Sequence, residues 1–389
     1  MKELLKFIVK TPAVWLGDYP PFESDSANIL QSNNYRLAPK LHNSYKSVWF
    51  YEELLSNFKA WKIILDEMIR LIDDEGYLVI RFNQNLTLNI IEIKQFLGRH
   101  LFLDSCVLEH EEFEEFESEV LLCFKVKRSN IEQYRDKSWS FIVLTQGDKV
   151  ENVVSFCKSI RVTSSSNKKH EIIVCGPRNN AYNDFDVIYN ETKYSDKYAE
   201  ICKKKNDSII LASRPNILIA HDRYYLNDDF FLGFEKYGYD FNYLTISQEY
   251  ISGKIFPSYL QLEKRMKWSP ITYTTKEELY SDTVYVNGGL IISKKETLTK
   301  VKFNELLHWN QAEDVELSQA MVANSIPPRI NVFSSAVTNV SDDYTKTFKE
   351  QPSQRRNFSI TSILFKVSKL KNIVKSPLLH LKLFLRNRM

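Results

Sequence analysis

Glycine is scarce in this chain, at 10 of 389 residues. Only glycine lets a backbone approach a phosphate closely at no steric cost, so the chain has little from which to build a Gly-rich dinucleotide loop, and no P-loop pattern occurs. Cysteine is scarce too. Five stand at 106, 123, 157, 175 and 202, an odd number with no CxxC spacing. That argues against a disulfide framework and a structural zinc site, and they read as reduced core residues of a cytosolic protein. No apolar run reaches the length of a membrane span. The opening MKELLKFIVKTPAVWLGDYPP turns to charge and proline before a signal peptide's apolar core can form. The seven histidines are scattered and suggest no Ser/His/Asp or Cys/His arrangement. The expectation is a cytoplasmic protein, soluble or peripheral on the inner face of the membrane.

Acid is missing from one end. Residues 351–389 hold nine Lys or Arg and no Asp or Glu, so with a net charge of +3 the rest carries about −6. Acid is concentrated instead in EHEEFEEFESE, residues 109–119, with seven Glu. In the tail, Ile360, Ile363, Leu364, Val367, Leu370, Ile373 and Val374 recur at helical spacing, with Lys366, Lys369, Lys371 and Lys375 between them and Pro377 breaking the pattern. A basic amphipathic helix of this kind suits an anionic membrane surface or a partner protein, and its aliphatic stripe speaks against nucleic acid.

What is plentiful is globular material, 43% hydrophobic and 13% aromatic. Three segments are expected: a small α/β domain over 1–130, a larger α/β domain over 137–348, and the tail over 350–389. In the first, WKIILDEMIRLIDDEGYLVIRF predicts an amphipathic helix over Trp61–Ile72, a turn at Asp73–Gly76 and a buried strand over Tyr77–Phe82. IIEIKQFLG predicts a helix closed by Gly98, and EVLLCFKVKR a strand. Residues 45–127 resemble the later half of class I S-adenosylmethionine-dependent methyltransferases. The family's Gly-rich turn is lacking, since Gly17 is the only glycine before Gly76. The resemblance implies a degenerate methyltransferase-like layer without methyl transfer; an unrelated small α/β domain is the alternative.

In the second segment WSFIVLT, HEIIVCGP, FDVIYN and NILIAHD read as strands buried on both faces, alternating with helices in QGDKVENVVSFCKSI and KYAEICKKKNDSIILAS. That order predicts a parallel, Rossmann-like sheet, with ligands beyond the carboxyl ends of its strands. Thr145, Gly176, Pro177, Asp186, His221 and Asp222 fall at or near such ends.

Four of these pieces, in order, resemble bacterial nucleotide-sugar glycosyltransferases of the GT-A fold, similar to the inverting enzymes of glycosyltransferase family two. They are SFIVLTQGDKVENVVSFCKSI, HEIIVCGP, KKKNDSIILASRPNILIAHD, and YVNGGLIISKK followed by HWNQAEDVELSQAM. The resemblance covers about 200 residues. It implies donor contacts at Thr145, Gly147, Asp186, Lys205, Asn206, His221 and Arg223. Acceptor contacts would be Gly288, Gly289 and Trp309. The family's Asp-X-Asp metal triplet falls at Ala220-His221-Asp222 or His221-Asp222-Arg223, with a single carboxylate. Asp222 is the expected ligand for Mn2+ or Mg2+, with His221 a second ligand or a phosphate contact, and Arg223 able to lessen the need for metal. Asp314 would be the general base and Glu313 would orient the acceptor. Plainer readings stand beside these: an Asp222–Arg223 surface pair, acidic charge in a first helical turn for Glu313 and Asp314, a solvated lysine face at 203–205, a bulge at Gly288-Gly289, and a core or surface role for Trp309. Asp228 and Asp229 read as a turn or helix cap.

The resemblance implies transfer of a sugar from a nucleotide donor to a surface polysaccharide, O-antigen or related glycan, with a lipid-linked acceptor at the membrane. A non-catalytic scaffold in a glycan-assembly complex is the alternative. A methyltransferase is disfavoured by the missing glycines.

Overall fold

The first sheet is built from β1 (Ala13–Trp15), β2 (Asp25–Ser26), β3 (Tyr45–Phe50), β4 (Ile72–Asn83), β5 (Leu103–Phe113) and β6 (Glu119–Arg128), with helices α1 (Trp61–Leu71) and α2 (Ile90–Arg99). This is a computed structural model. It describes residues 10–113, 118–163, 169–194, 199–262, 271–308 and 311–344, so the tail at 350–389 and Trp309 lie outside the described residues. The strand order is β2-β1-β3-β4-β6-β5, parallel from β2 to β4 and antiparallel beyond.

Two local expectations are corrected here. The turn at Asp73–Gly76 does not form: α1 passes directly into β4, and Glu75 and Gly76 already pair with Lys127 and Val126 of β6. Those acids are strand residues satisfied across the sheet, Asp73 and Asp74 by Lys46 and Glu75 by Lys125. Nor does Gly98 close α2, which runs on to Arg99 with His100 as its C-cap. The start of α2 is fixed by a capping box in which Asn89 accepts from Ile91 and Glu92 while the Glu92 side chain reaches back to the Asn89 N–H.

The second sheet follows. Its elements are β7 (Trp139–Leu144), α3 (Val150–Thr163), β8 (Glu171–Cys175), β9 (Val187–Tyr189), α4 (Ile201–Leu211), β10 (Asn216–His221), β11 (Tyr224–Leu226), α5 (Phe230–Tyr237), β12 (Tyr243–Tyr250) and β13 (Ile255–Phe256). After a small third sheet of β14 (Tyr259–Leu262), β15 (Ile271–Tyr273) and β16 (Val284–Val286) come β17 (Leu290–Lys294), α6 (Lys295–Lys300), α7 (Glu313–Ala323) and β18 (Arg329–Thr338). The order is β11-β18-β12-β17-β10-β7-β8-β9, with β13 beside β12. Strands β10, β7, β8 and β9 are parallel, and β17 joins β10 antiparallel.

Alternation along β10 shows why its apolar run is continuous. Leu218 and Ala220 pack with Val153 and Phe156 of α3, while Ile217 and Ile219 pack with Ile209 of α4 and Leu317 and Met321 of α7. Covered on both faces, this is an α/β, Rossmann-like sheet, mostly parallel at its centre, preceded by a smaller α/β layer.

The described residues up to Asp342 form one compact unit. A seam of buried charge joins the two sheets. Helix α1 is buried on nearly every side, including Asp66, Glu67 and Arg70. Glu67 accepts from Arg36 at 3.0 Å, and Arg329, at the start of β18, reaches Glu277 at 2.9 Å, Asp66 at 3.1 Å and Glu67 at 3.2 Å. Asp240, just before β12, takes Arg70 at 2.7 Å and Arg128 at 2.9 Å.

Candidate functional site

Parallel register brings the first pair of site residues together. His221 pairs with Leu144, so the residues that follow, Asp222 and Thr145, emerge side by side at the carboxyl ends of β10 and β7. The Asp222 N–H donates to the Leu144 carbonyl at 3.0 Å, and the Thr145 hydroxyl donates to Asp222 Oδ2 at 2.9 Å. The Gly147 N–H donates to Thr145 Oγ1 at 3.0 Å. Gly147 has φ +92°, and a Cβ there would sit 2.4 Å from the Pro177 ring, so the turn requires glycine. Lys149 Nζ stands 3.9 Å from Asp222 Oδ1.

The Asn287–Gly288–Gly289 turn between β16 and β17 holds the second part. The Gly289 carbonyl accepts the His221 N–H at 2.9 Å. A Cβ on Gly289 would lie 2.5 Å from Arg223 Nη2, so the guanidinium packs directly on the turn. The Gly288 N–H donates to Asp314 Oδ2 at 2.9 Å, and Val315 N–H donates to Oδ1 at 2.9 Å. Helix α7 opens on Ala312 with φ +62°. A left-handed alanine costs on the order of 1 kcal/mol. It delivers Glu313 and Asp314 in the first helical turn against Gly288.

Thr145, Gly147, His221, Asp222, Arg223, Gly288, Gly289, Glu313 and Asp314 are therefore linked through one set of contacts. Lys205 joins them from within the protein. It is fully buried, donates to the Gly288 carbonyl at 3.2 Å and stands 3.6 Å from Glu313. Asn206 does not join: its amide donates to the Phe303 carbonyl and to Glu305, and its oxygen accepts the Phe303 N–H, tying α4 to the chain after α6. Asp186 stands elsewhere too. It lies exposed before β9, at the amino end of that strand, whereas the cluster sits at the carboxyl ends. Asp228 and Asp229 are exposed; Asp229 precedes α5 and accepts from the Ser335 N–H and hydroxyl.

Electrostatics separates the roles. Burial and then the Glu313 charge push the Asp314 carboxyl up to about 6, against the Gly288 N–H, Lys205 and the Val315 N–H. Burial also raises Asp222, opposed by the Thr145 hydroxyl and Lys149. Burial, followed by the charges of Arg223, Lys205 and Lys149, holds His221 well below the usual imidazole range, so it is neutral. Its Nε2 is buried with no hydrogen-bond partner among the described residues.

Among the described residues, no three His, Cys, Asp or Glu side chains gather closely enough to hold a metal ion. Asp222 offers one carboxylate and His221 one neutral ring nitrogen. Those residues fit a divalent cation only if diphosphate and water supply most of its ligands, the usual arrangement for Mg2+ at phosphate sites.

Beside the cluster, beyond β7, β8 and β9, opens a cleft of about 750 Å3. Thr145, Gly176, Pro177, Tyr189, Asn190 and Lys204 line it. Its size suits a ligand larger than a single sugar.

No protein-family model matches this chain, and no curated protein matches it. Solved structures show a partial likeness. Staphylococcus aureus TarS matches at 16% identity and TM-score 0.36, over 54% of this chain and 38% of that one. TarS 1–349 in complex with UDP-GlcNAc matches at 16% identity and TM-score 0.35, over 53% and 60%. The mannosyltransferase PcManGT from Pyrobaculum calidifontis, in complex with GDP-Man and Mn2+, matches at 10% identity and TM-score 0.36, over 52% and 57%.

Lys149, Asn287 and Asn190 belong to the site or its cleft and were not singled out from the sequence. Each had a positional signal. Asn190 ends the run FDVIYN, Asn287 precedes the paired glycines, and Lys149 follows the Gly147 turn. Among the described residues no helix is long and apolar enough to cross a membrane.

Proposed function

We propose that this chain is an inverting glycosyltransferase that moves a hexosyl group from a nucleotide-sugar donor to a glycan acceptor. One observation carries the reading. Asp314 and the strand end bearing Asp222 are both bound to the Gly288–Gly289 turn, next to a cleft large enough for a nucleotide. A base and a donor site are thereby held to one short piece of backbone.

The acceptor hydroxyl oxygen attacks the anomeric carbon while Asp314 takes its proton. The bond from that carbon to the donor's diphosphate oxygen breaks, the electron pair leaves with the diphosphate, and configuration inverts. A carboxyl raised to about 6 suits a base working near neutral pH. Glu313, buried between Lys205 and Asp314, orients the acceptor side. Negative charge grows on the leaving diphosphate, and Arg223 and Lys149 bring positive charge to that strand end. A Mn2+ or Mg2+ ion at Asp222 would supply further charge of the same sign. The nucleoside lies in the cleft lined by Thr145, Tyr189 and Asn190. The acceptor belongs to surface polysaccharide or O-antigen assembly, with the basic tail at 350–389 as the membrane contact, and the methyltransferase-like first sheet serves as a scaffold without methyl transfer.

A non-catalytic scaffold is the second reading, favoured by the single carboxylate at the strand end. Two measurements separate them. Thermal shift against a panel of sugar nucleotides, with and without Mn2+, finds the donor, and release of nucleoside diphosphate, with and without EDTA, reports turnover. In the enzyme reading Asp314→Asn abolishes release while donor binding persists. Normal turnover in that variant removes Asp314 as the base, and a chain that binds no sugar nucleotide is the scaffold.

A further inference from the structure

We infer that Lys205 is a positioning residue for the proposed base, its buried ammonium gripping the carbonyl of the same glycine whose N–H Asp314 holds and keeping Asp314 ionised. The inference rests on the reading of Asp314 as base.

Lysine is almost never fully buried unless it is paired. Lys205 has no exposure, and its nearest carboxylate, Glu313, stands at 3.6 Å, too long for a hydrogen bond. Among the described residues its one short polar contact is the Gly288 carbonyl at 3.2 Å, and its Nζ also lies 4.8 Å from the centre of the Phe303 ring. Asp314 takes the Gly288 N–H at 2.9 Å. The cation and the carboxylate thus hold the two polar ends of one residue, and that residue has no room for a side chain, since a Cβ would sit 2.9 Å from Asp314 Cβ. Moving the ammonium moves the turn on which the carboxylate is seated.

Charge points the same way. Among the described residues, Glu313, Lys205, Tyr243 and Tyr285 are titratable groups acting on or beside Asp314. Glu313, on the same helix, disfavours its ionised form. Tyr243 of β12 and Tyr285 of β16 are phenols held neutral by burial, and Tyr243 is bonded to Ser318. Lys205 of α4 is the cation that opposes Glu313. Without its charge, a smaller fraction of Asp314 would be ionised at neutral pH and able to accept a proton.

The test reads the carboxyl directly. The full chain is labelled with 13C at aspartate carboxyls and titrated by NMR, the Asp314 signal being the one missing in Asp314→Asn. The wild type is expected to titrate near 6. In Lys205→Met, which keeps length but not charge, the midpoint should rise by ~1 unit or more, the effect of losing an opposite charge a few ångströms away. Lys205→Gln, still able to donate to Gly288, should rise equally, and it serves if the Met variant does not fold. Lys205→Arg should stay near the wild-type value. An unchanged midpoint in both neutral variants overturns the inference. Turnover enters none of these readouts, so a chain that titrates as expected but transfers no sugar sinks the functional reading alone.

Discussion

At the seam between the sheets, Asp66, Glu67, Asp240 and Glu277 each have an arginine within 3.2 Å, drawn from Arg36, Arg70, Arg128 and Arg329. At the carboxyl ends of β7 and β10 the same kinds of side chain are buried on other terms. Asp314 sits beside Glu313 and is bonded to backbone amides, Asp222 leans on a threonine hydroxyl, and the His221 Nε2 has no partner among the described residues. Arginine with its rigid fork holds Asp66, Glu67 and Asp240 in the ionised form, while at Glu277 burial outweighs Arg329 and pushes the carboxyl up to about 7. Amides, a hydroxyl and a neighbouring acid leave a carboxylate near the boundary between forms. The seam spends its charges on holding two sheets in one arrangement, and the site keeps its charges poised, as expected where protons are exchanged.

Breaking the seam should have the largest effect. Arg329→Met strips Glu277 of its guanidinium partner and removes a contact from both Asp66 and Glu67. Leaving buried carboxylates uncompensated should cost about 3–5 kcal/mol. Urea unfolding at an unchanged slope would register this as a lower midpoint. A loss below about 1 kcal/mol would mean that the seam relaxes to admit water, and the contrast with the site would weaken.

Gly288→Ala tests the site where the turn meets the proposed base. The new Cβ falls 2.9 Å from Asp314 Cβ and 3.2 Å from its Oδ2, so the carboxylate must leave the Gly288 N–H. Overpacking of this kind costs about 1–3 kcal/mol. A displacement near 1 Å should lower kcat by about 100-fold if Asp314 is the base. Steady-state kinetics beside thermal unfolding distinguishes the two, and a variant that is destabilised yet fully active would place the base elsewhere.

Acid should act with one sign on His42, His100 and Asp66 of the seam and with the opposite sign on Asp314, which Glu277, pushed up to about 7 by burial, joins from the seam. His42 and His100 are buried in the seam, and burial holds both below the usual imidazole range. Below pH 6.5 the unfolded chain binds their protons more readily, so stability falls as pH drops. Asp66 follows: burial pushes it up, but Arg70, His100 and Arg329 hold it at about 2. Its contribution, about 2 kcal/mol, is present above pH 3.8 and lost as pH falls toward 2. Asp314 is raised to about 6, so the folded state binds its proton first and gains stability as pH falls from 6 to 3.8. Over that same interval the proposed base is lost, giving kcat/KM an acid limb near 6. Asp314→Asn should remove its part of the stability change and leave the seam's; an unaltered stability profile would assign the raised value to another group.

How much of this was legible follows the same division. WSFIVL, EIIVC and NILIAH are apolar at nearly every position, so strands covered on both faces could be read directly, and their ends pointed to Thr145 and Asp222. The periodicity of WKIILDEMIRL gave an amphipathic helix, but nothing local says that Asp66, Glu67 and Arg70 face another sheet and not water. The turn expected at Asp73–Gly76 fails because β6 pairs with β4 from Glu75 onward, a long-range pairing that outweighs a local run of turn residues. The run KKKND reads as a solvated face, yet Lys205 points inward to Gly288, 83 residues away in sequence. Glu313 and Asp314 were visible as an acidic helix start, and Gly288 as a turn glycine. Their contact was not, because it depends on how α7 returns to the sheet.

The smallest test concerns the hydrogen bond that sets Asp222 apart from the arginine-bound acids. Thr145→Val removes the hydroxyl that donates to Asp222 and accepts from Gly147, at nearly constant volume. Losing a partner for a partly buried carboxylate should cost about 1 kcal/mol. Thr145→Ser keeps the hydroxyl and loses only a methyl, so the difference between the two variants in urea unfolding isolates the bond. Mn2+ sharpens the reading, since a cation that shares Asp222 with diphosphate should stabilise wild type more in the presence of nucleoside diphosphate than in its absence. If Val and Ser variants unfold alike, and the metal adds nothing with nucleotide present, Asp222 is a seam-like structural acid after all.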